Sequence, residues 1–596
     1  MGYSEVRCQL CGVGFNIGRV RRAGEPLNTA FSFAEQKLHL EHNFVNKSIN
    51  KREYCPENSL CINVKANRRK EQSSTRPNAW LLSTEDDDDP DWEYQSQGDS
   101  EPLEYAEEED PSDGSNSEAE GDTVSESCDI DSRSTEISIR PSQRSNSPTL
   151  VELMEDLENE ESPSEEEDDN FEARYNRSRT LEHLAGPLCN HPRGYNGNNI
   201  SAEEMFGCCT SQCLVPKDGF WKPHPTDEDF ELSSKYFLSG LGGHMNSRDY
   251  GGVRPLPSRH GLGDEIHPDD QIWQAGEEVP LPFHPACLEI YRRVSQIRFG
   301  EFNVDGLCQW RLLECGHANE VYNAISHSHP VLRRALSQEW HHRIGDEWLA
   351  ANPLLIPSLH STLEEATYES SDTFNPCDSA FSSCREGVEP KSQATGHGDC
   401  FQGLPQEANL LIVEMLLSSD IAALRLVSRA FTHLPICLWK KLLKKEMPWL
   451  WEMRDYSPPY KWSAIAYSEL KEDEERIKKA AEELRHLQHV YRQVFEEEMP
   501  EHWEQYCMDH PWLTDDVDAE ERVANEQSIT RLGSSRSLFS LPQNRTNWYE
   551  VYTLIKRNWD DLKGLRNRER IWTVCETICD GIEKLTEKGK IIHHEI

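Results

Sequence analysis

The sequence points to a multi-domain, mainly α chain. An irregular α+β domain on the N-terminal side, split by an acidic insert, is followed by a three-helix unit and a helical C-terminal region. Length is the first observation, because 596 residues exceed what a single hydrophobic core normally organises. The second is a change of composition over 83–178, where acidic runs sit among Ser, Pro and Gly. The third is the recurrence of apolar residues at steps of three and four after residue 400.

Residues 1–82 are mixed in composition and open on Cys8-Gln9-Leu10-Cys11-Gly12. The insert at 83–178 carries Glu85–Asp89, Glu107–Asp110 and Glu165–Asp169. Low hydrophobicity and self-repulsion leave nothing to offset chain entropy there, so disorder is expected. Residues 179–360 are rich in Gly, Trp and His and punctuated by turns, as in Ala185-Gly186-Pro187. They read as the remainder of the α+β domain, with helices from Pro285 through Arg293 and over 330–337. Residues 361–400 read as a Ser-, Thr- and Gly-rich linker. The three-helix unit occupies 401–447 and the helical region 448–596. In that region Ile477, Ala480, Leu484, Leu487, Tyr491 and Val494 form a stripe within Ser468–Phe495, and a last helical block spans Asn547–Lys588.

The three-helix unit is the densest apolar stretch. Pro405 suits a first helical turn, and Ala408, Leu411, Ile412, Met415 and Leu416 share one face, read as buried. Ser418 or Ser419 stops that helix and caps a second, continuing from Asp420, on which Leu424, Val427 and Phe431 share a face. Leu434-Pro435 breaks it, and a third helix carries Leu438, Trp439, Leu442 and Leu443. About forty residues cannot bury enough surface to be very stable alone. The unit needs a partner, in this chain or another.

The order Leu404-Pro405-x-Glu407, Ile412, Leu416, Asp420-Ile421, Leu424, Val427-Ser428-Arg429 and Leu438-Trp439 resembles the F-box motif. Ala408 departs from it, where the family has a larger aliphatic. The resemblance implies a substrate-recruiting subunit of a cullin-type ubiquitin ligase, with a Skp-type adaptor and a cullin scaffold as partners and a protein target that it does not identify. It further implies that Leu404, Pro405, Ile412, Leu416, Leu424, Val427 and Trp439 serve adaptor binding, some on the surface and some in the internal seam. The Cys8-x2-Cys11-Gly12 opening and blocks such as Phe283–Glu289 and Gly564–Arg568 are similar to those of a group of filamentous-fungal F-box proteins.

Cys8-x2-Cys11-Gly12 has the shape of a zinc knuckle, since two thiolates at that spacing can turn onto one tetrahedral ion and the Gly lets the backbone fold beneath them. The preferred second half is His284 and Cys287, at the start of a helix. A knuckle plus a ligand pair on a helix's first turn resembles a treble-clef finger, so structural zinc is expected in a zinc-finger-like domain. Cys208, Cys209 and Cys213 compete for the role, as do Cys55 with Cys61 and Cys308 with Cys315. A long intervening chain is a weak objection, because loop closure grows only logarithmically.

The net charge of −44 argues against nucleic acid and anionic membranes as partners. With no apolar stretch long enough to span a bilayer, a cytoplasmic or nuclear location is expected. In a reducing compartment the 19 cysteines point to metal before disulfide where they cluster. No nucleophile elbow, Walker loop, zincin or kinase signature occurs, so no catalytic site is expected. The alternative to a ligase subunit is a zinc-stabilised interaction or transcriptional regulator whose acidic segment recruits partners.

Overall fold

A computed structural model of the chain describes residues 6–30, 57–65, 181–190, 194–243 without 225, 253–260, 266, 280–314, 334–335, 342–369, 374–381, and 399–591 without 455, 499, 535 and 537. They belong to one compact unit made of 1–65 and 175–596. The second unit, 66–174, and the acidic insert expected over 83–178 lie outside the described residues. So does Cys55. Of the helix expected over 330–337, only Arg334 and Ala335 are described, both helical.

The described unit is mainly α, with short strands confined to its N-terminal half. Strand β1 (Arg19–Val20) runs parallel to β4 (Tyr195–Asn196), and β2 (Ile62–Lys65) is antiparallel to β3 (Leu181–Leu184). A three-stranded sheet places β5 (Gln212–Pro216) between β6 (Tyr236–Leu238) and β7 (Leu281–Phe283). A five-residue helix, α1 (Asp229–Ser233), joins β5 to β6 and carries the buried Glu231. Strand β7 leads straight into α2 (Pro285–Phe299), where Pro285 occupies the first turn, at which its missing N–H costs nothing. Helix α3 (Val304–Glu314) follows, and then α4 (Leu359–Glu364).

Residues 374–381, within the stretch read as a linker, pack against the three-helix unit. Ala380 N–H donates to the Leu434 carbonyl at 2.8 Å and Ile436 N–H to the Asp378 carbonyl at 3.0 Å. The three expected helices are α5 (Gln406–Met415), α6 (Ser418–Val427) and α7 (Ile436–Glu446). Two local expectations are corrected. Ser418 does not cap α6 but lies in its first turn, where its N–H and hydroxyl donate to the Glu446 carboxylate at 2.6 and 2.7 Å. Val427 and Phe431 do not share a face, because Ser428 is extended (φ −131°, ψ 131°) and caps a separate 3-10 turn, breaking the helical phase.

Helix α8 (Tyr467–Glu498) is followed by α9 (Trp503–Asp509) and packs against α10 (Val517–Ser534). Of the stripe on α8, Ile477, Leu484 and Tyr491 are half-buried while Ala480, Leu487 and Val494 are exposed, and the buried Leu470 and Ala481 lie off it. The last block is two helices, α11 (Trp548–Arg557) and α12 (Lys563–Glu587), and Gly564 lies within the second rather than between them.

Helix α12 joins distant parts of the unit. It packs on α2 and α3 and buries Ile571, Val574, Ile578 and Ile582. Asn567 Nδ2 donates to the Leu349 and Ala351 carbonyls at 3.2 and 2.7 Å. Arg568 is fully buried and meets Glu452 through Nη1 at 2.8 and 2.9 Å, while its Nε donates to the Pro353 carbonyl. Removing one member of such a pair strands the other charge in a dry site. Arg568→Ala is therefore expected to destabilise the chain by about 3–5 kcal/mol. The double variant Arg568→Met/Glu452→Leu is expected to recover most of that loss, read as denaturant midpoints of the three proteins.

Candidate functional site

Cys8 and Cys11 sit on a tight turn. Cys8 N–H donates to the Val13 carbonyl at 3.0 Å and Gly12 N–H to the Cys8 carbonyl at 2.9 Å. Gly12 has φ 76°, a backbone that a side chain would strain. Val13 N–H points at Cys11 Sγ (3.4 Å) and His284 N–H at Cys8 Sγ (3.4 Å), as amides do around thiolates. The turn is docked from two sides. Gln9 N–H donates to the Pro282 carbonyl in β7, and Arg570 of α12 donates through Nη1 to the Cys11 carbonyl at 2.6 Å.

His284 is the N-cap of α2, and Cys287 lies in its first turn. The structure thus brings Cys8, Cys11, His284 and Cys287 together, all four buried and with donor atoms within 4.8 Å of one another. The His284 Nδ1 atom is 3.4 Å from Cys11 Sγ and 3.9 Å from Cys287 Sγ. Metal–ligand bonds of about 2.3 Å to sulfur and 2.0–2.1 Å to nitrogen imply tetrahedral edges of about 3.6–3.8 Å. The donor set fits a metal ion. His284 Nε2 donates to the Cys208 carbonyl at 2.9 Å, which fixes the tautomer and leaves Nδ1 to face the sulfurs.

Electrostatics agree. Burial acts to raise the Cys11 thiol, but hydrogen bonds from Cys287 and Cys8 and the His284 charge outweigh it and hold the thiol well below its ordinary range. Burial likewise opposes the His284 charge, and the Cys11 and Cys8 sulfurs overcome it. Burial pushes Cys287 up. Without a metal the imidazolium is thus the countercharge to the sulfurs, a role that a metal ion would take over from it.

The competing second halves lie elsewhere. Cys208 and Cys209 are neighbours of the centre, through the Cys208 carbonyl, but their sulfurs face each other at 3.7 Å. Cys213 is buried in β5, and burial pushes its thiol up. Cys308 is buried on α3, and Cys315 lies outside the described residues. A further group that the sequence reading missed joins Asp227, Glu231 and His260. Arg259 already sits against it, meeting Asp227 at 2.5 Å and Glu231 at 3.0 Å, so both carboxylates have a cationic partner without a metal.

The three-helix unit has an inner and an outer side. Val413, Ile421, Phe431, Leu438, Trp439, Leu442 and Leu443 are buried. Trp439 is 4% exposed and packs on Tyr549 and Tyr552 of α11, with ring centroids 4.7 and 5.4 Å away. It belongs to the internal seam, one of the two places expected for the signature residues. Ile412, Leu416 and Leu424 are half-buried, and Leu404, Pro405 and Val427 are exposed. The face of α5 read as buried is largely open, with Leu411 at 64% and Met415 at 81% exposure. Leu417, Leu426 at 89% and Val427 at 80% extend the exposed apolar set onto α6.

The variant Cys11→Ser is expected to carry one bound ion fewer than the wild type. Loss of a structural metal ranks among the largest single-site effects, so stability should fall by about 4 kcal/mol or more. Metal content by mass spectrometry together with thermal melting checks this. Unchanged content in Cys11→Ser would contradict it.

No protein-family model and no solved structure matches the chain. Over 52 residues it is 48% identical to a protein of Aspergillus oryzae described as the mitochondrial ATP-dependent RNA helicase mss116. The stretch is 9% of this chain and 8% of that protein. The chain therefore spans less than a tenth of that relative's length.

Proposed function

We propose that the chain is an F-box subunit that recruits substrates to a Skp–cullin–F-box ubiquitin ligase. The observation that carries this reading is the two-sided three-helix unit. Its inner side is anchored by Trp439, Leu442 and Leu443, while Leu404, Leu411, Met415, Leu426 and Val427 face solvent. Large apolar side chains gathered on short helices are a feature of surfaces meant to be covered. The occupant is a Skp-type adaptor, since the exposed residues fall on and between the signature positions that the unit shares with the F-box.

In this reading the chain contributes geometry rather than bond-making. The adaptor buries the open sides of α5 and α6, each fully covered aliphatic side chain contributing about 1.5–3 kcal/mol before the costs of association. The cullin scaffold then holds this chain near a charged ubiquitin carrier, and transfer chemistry resides in other subunits. Zinc held by Cys8, Cys11, His284 and Cys287 has a structural role, because four protein donors leave no position for substrate. The target docks on the remaining surface of the compact unit, in the cytoplasm or nucleus.

The test is co-purification of a Skp-type adaptor with the full chain. Met415→Asp/Val427→Asp is expected to weaken binding at least tenfold, about 1.4 kcal/mol, with melting nearly unchanged because both side chains are exposed. Leu404→Ala/Pro405→Ala is expected to act in the same direction. Trp439→Ala is expected instead to lower stability by about 3–5 kcal/mol. Equal adaptor recovery by wild type and the Asp variant would remove the ligase reading and leave that of a regulator outside a ligase.

A further inference from the structure

The chain leaves the described unit at the end of β2, Lys65, and returns at the start of β3, Leu181. These two strands pair antiparallel, with Ile62 opposite Leu184 and Lys65 opposite Leu181. Such a ribbon is marginal by itself in water. The apolar cluster beneath it is small and separate from the main core. Only Val20, Ala185 and Cys189 are its buried members, with Cys61 packed against them. Hydrophobic burial on this scale contributes little to holding the ribbon in place, and a cross-link at this point would add to it.

Cys61, His183 and Cys189 meet there, with donor atoms within 4.8 Å of one another. His183 Nε2 lies 3.3 Å from Cys189 Sγ. Gly186 N–H donates to Cys61 Sγ at 3.4 Å, the same amide-to-sulfur contact seen at Cys8 and Cys11. Loop 185–189 is wrapped tightly over the Cys61 strand. A Cβ on Gly186 would come within 1.8 Å of the Ser59 carbonyl oxygen, so only glycine fits. Asn196 holds this loop in place, donating through Nδ2 to the Gly186 carbonyl at 2.8 Å and the Cys189 carbonyl at 3.1 Å. Asn198 Nδ2 adds a bond to the Ala185 carbonyl at 3.0 Å. The cluster is thus preorganised by neighbours that do not themselves offer metal ligands.

We propose that Cys61, His183 and Cys189 form a second structural zinc site, independent of the first, that clips the β2–β3 ribbon onto the body of the described unit. Two thiolates and an imidazole are donors suited to zinc; they supply three of the four tetrahedral positions, and water can take the fourth. The inference does not rest on adaptor binding. It concerns a different set of residues from Cys8, Cys11, His284 and Cys287.

The experiment uses the full chain purified without chelator, with zinc measured by mass spectrometry. Cys61→Ser/Cys189→Ser is expected to carry one equivalent less than wild type. Cys8→Ser/Cys11→Ser is expected to lose a different equivalent and to keep this one. Because either variant could misfold, wild type is also treated with iodoacetamide before and after zinc chelation. Labelling of Cys61 and Cys189, read by peptide mass spectrometry, is expected to rise at least tenfold on chelation. Zinc content unchanged by Cys61→Ser/Cys189→Ser, or equal labelling of Cys61 with and without zinc, would overturn the proposal. Adaptor recovery serves as a separate readout, which failure of this proposal would leave unaffected.

Discussion

The contact on which the fold turns is the meeting of the Cys8–Cys11 turn with the start of α2. His284 N–H reaches Cys8 Sγ across 276 positions of sequence. That closure fixes where the N-terminal segment lies against β7, α2 and α12. The turn buries Leu10 and Val13 in the main core, and its backbone is held from outside by the Pro282 carbonyl and the Arg570 guanidinium. Four buried donors without a cation would leave thiols and an imidazole crowded in a dry site, which is costly. A metal ion held there would turn that liability into a cross-link between the two halves.

From this point the architecture follows outward. Helix α12 supports the turn through Arg570, the 349–354 segment through Asn567 and Arg568, and the segment after α7 through the Arg568–Glu452 pair. Helix α11 presents Tyr549 and Tyr552 to Trp439, so the inner side of the three-helix unit is fastened to the same body. Rigid attachment on one side matters for the proposed role. An apolar face borne on a fixed platform loses less entropy on docking than one on a floating hairpin.

Much of the candidate metal site was legible in the sequence because each half is local. Cys-x2-Cys-Gly and His-x2-Cys before a helix state their chemistry within four residues, and only the pairing of the halves is long-range. The second cluster was not legible in that way. Cys61 stands alone, His183 lies in a strand and Cys189 in a loop, and only the β2–β3 pairing across the insert unites them. The Arg259 network is hidden for the same reason. Helical periodicity found α5, α6 and α7, yet it misassigned Leu411 and Met415 as covered. A period reveals that one side of a helix is apolar, not which chain covers it. The extended Ser428 shows a finer limit, since one capping side chain reset the phase between Val427 and Phe431.

In the proposed ligase subunit the open sides of α5 and α6 are covered by a Skp-type adaptor while the rest of the unit stays as it is. Hydrogen exchange on the full chain, with and without saturating adaptor, measures this most directly. The expected result is added protection over 404–427, with α12 and the Cys8–Cys11 turn unchanged. Adaptor that leaves 404–427 exchanging as in the free protein would contradict the claim.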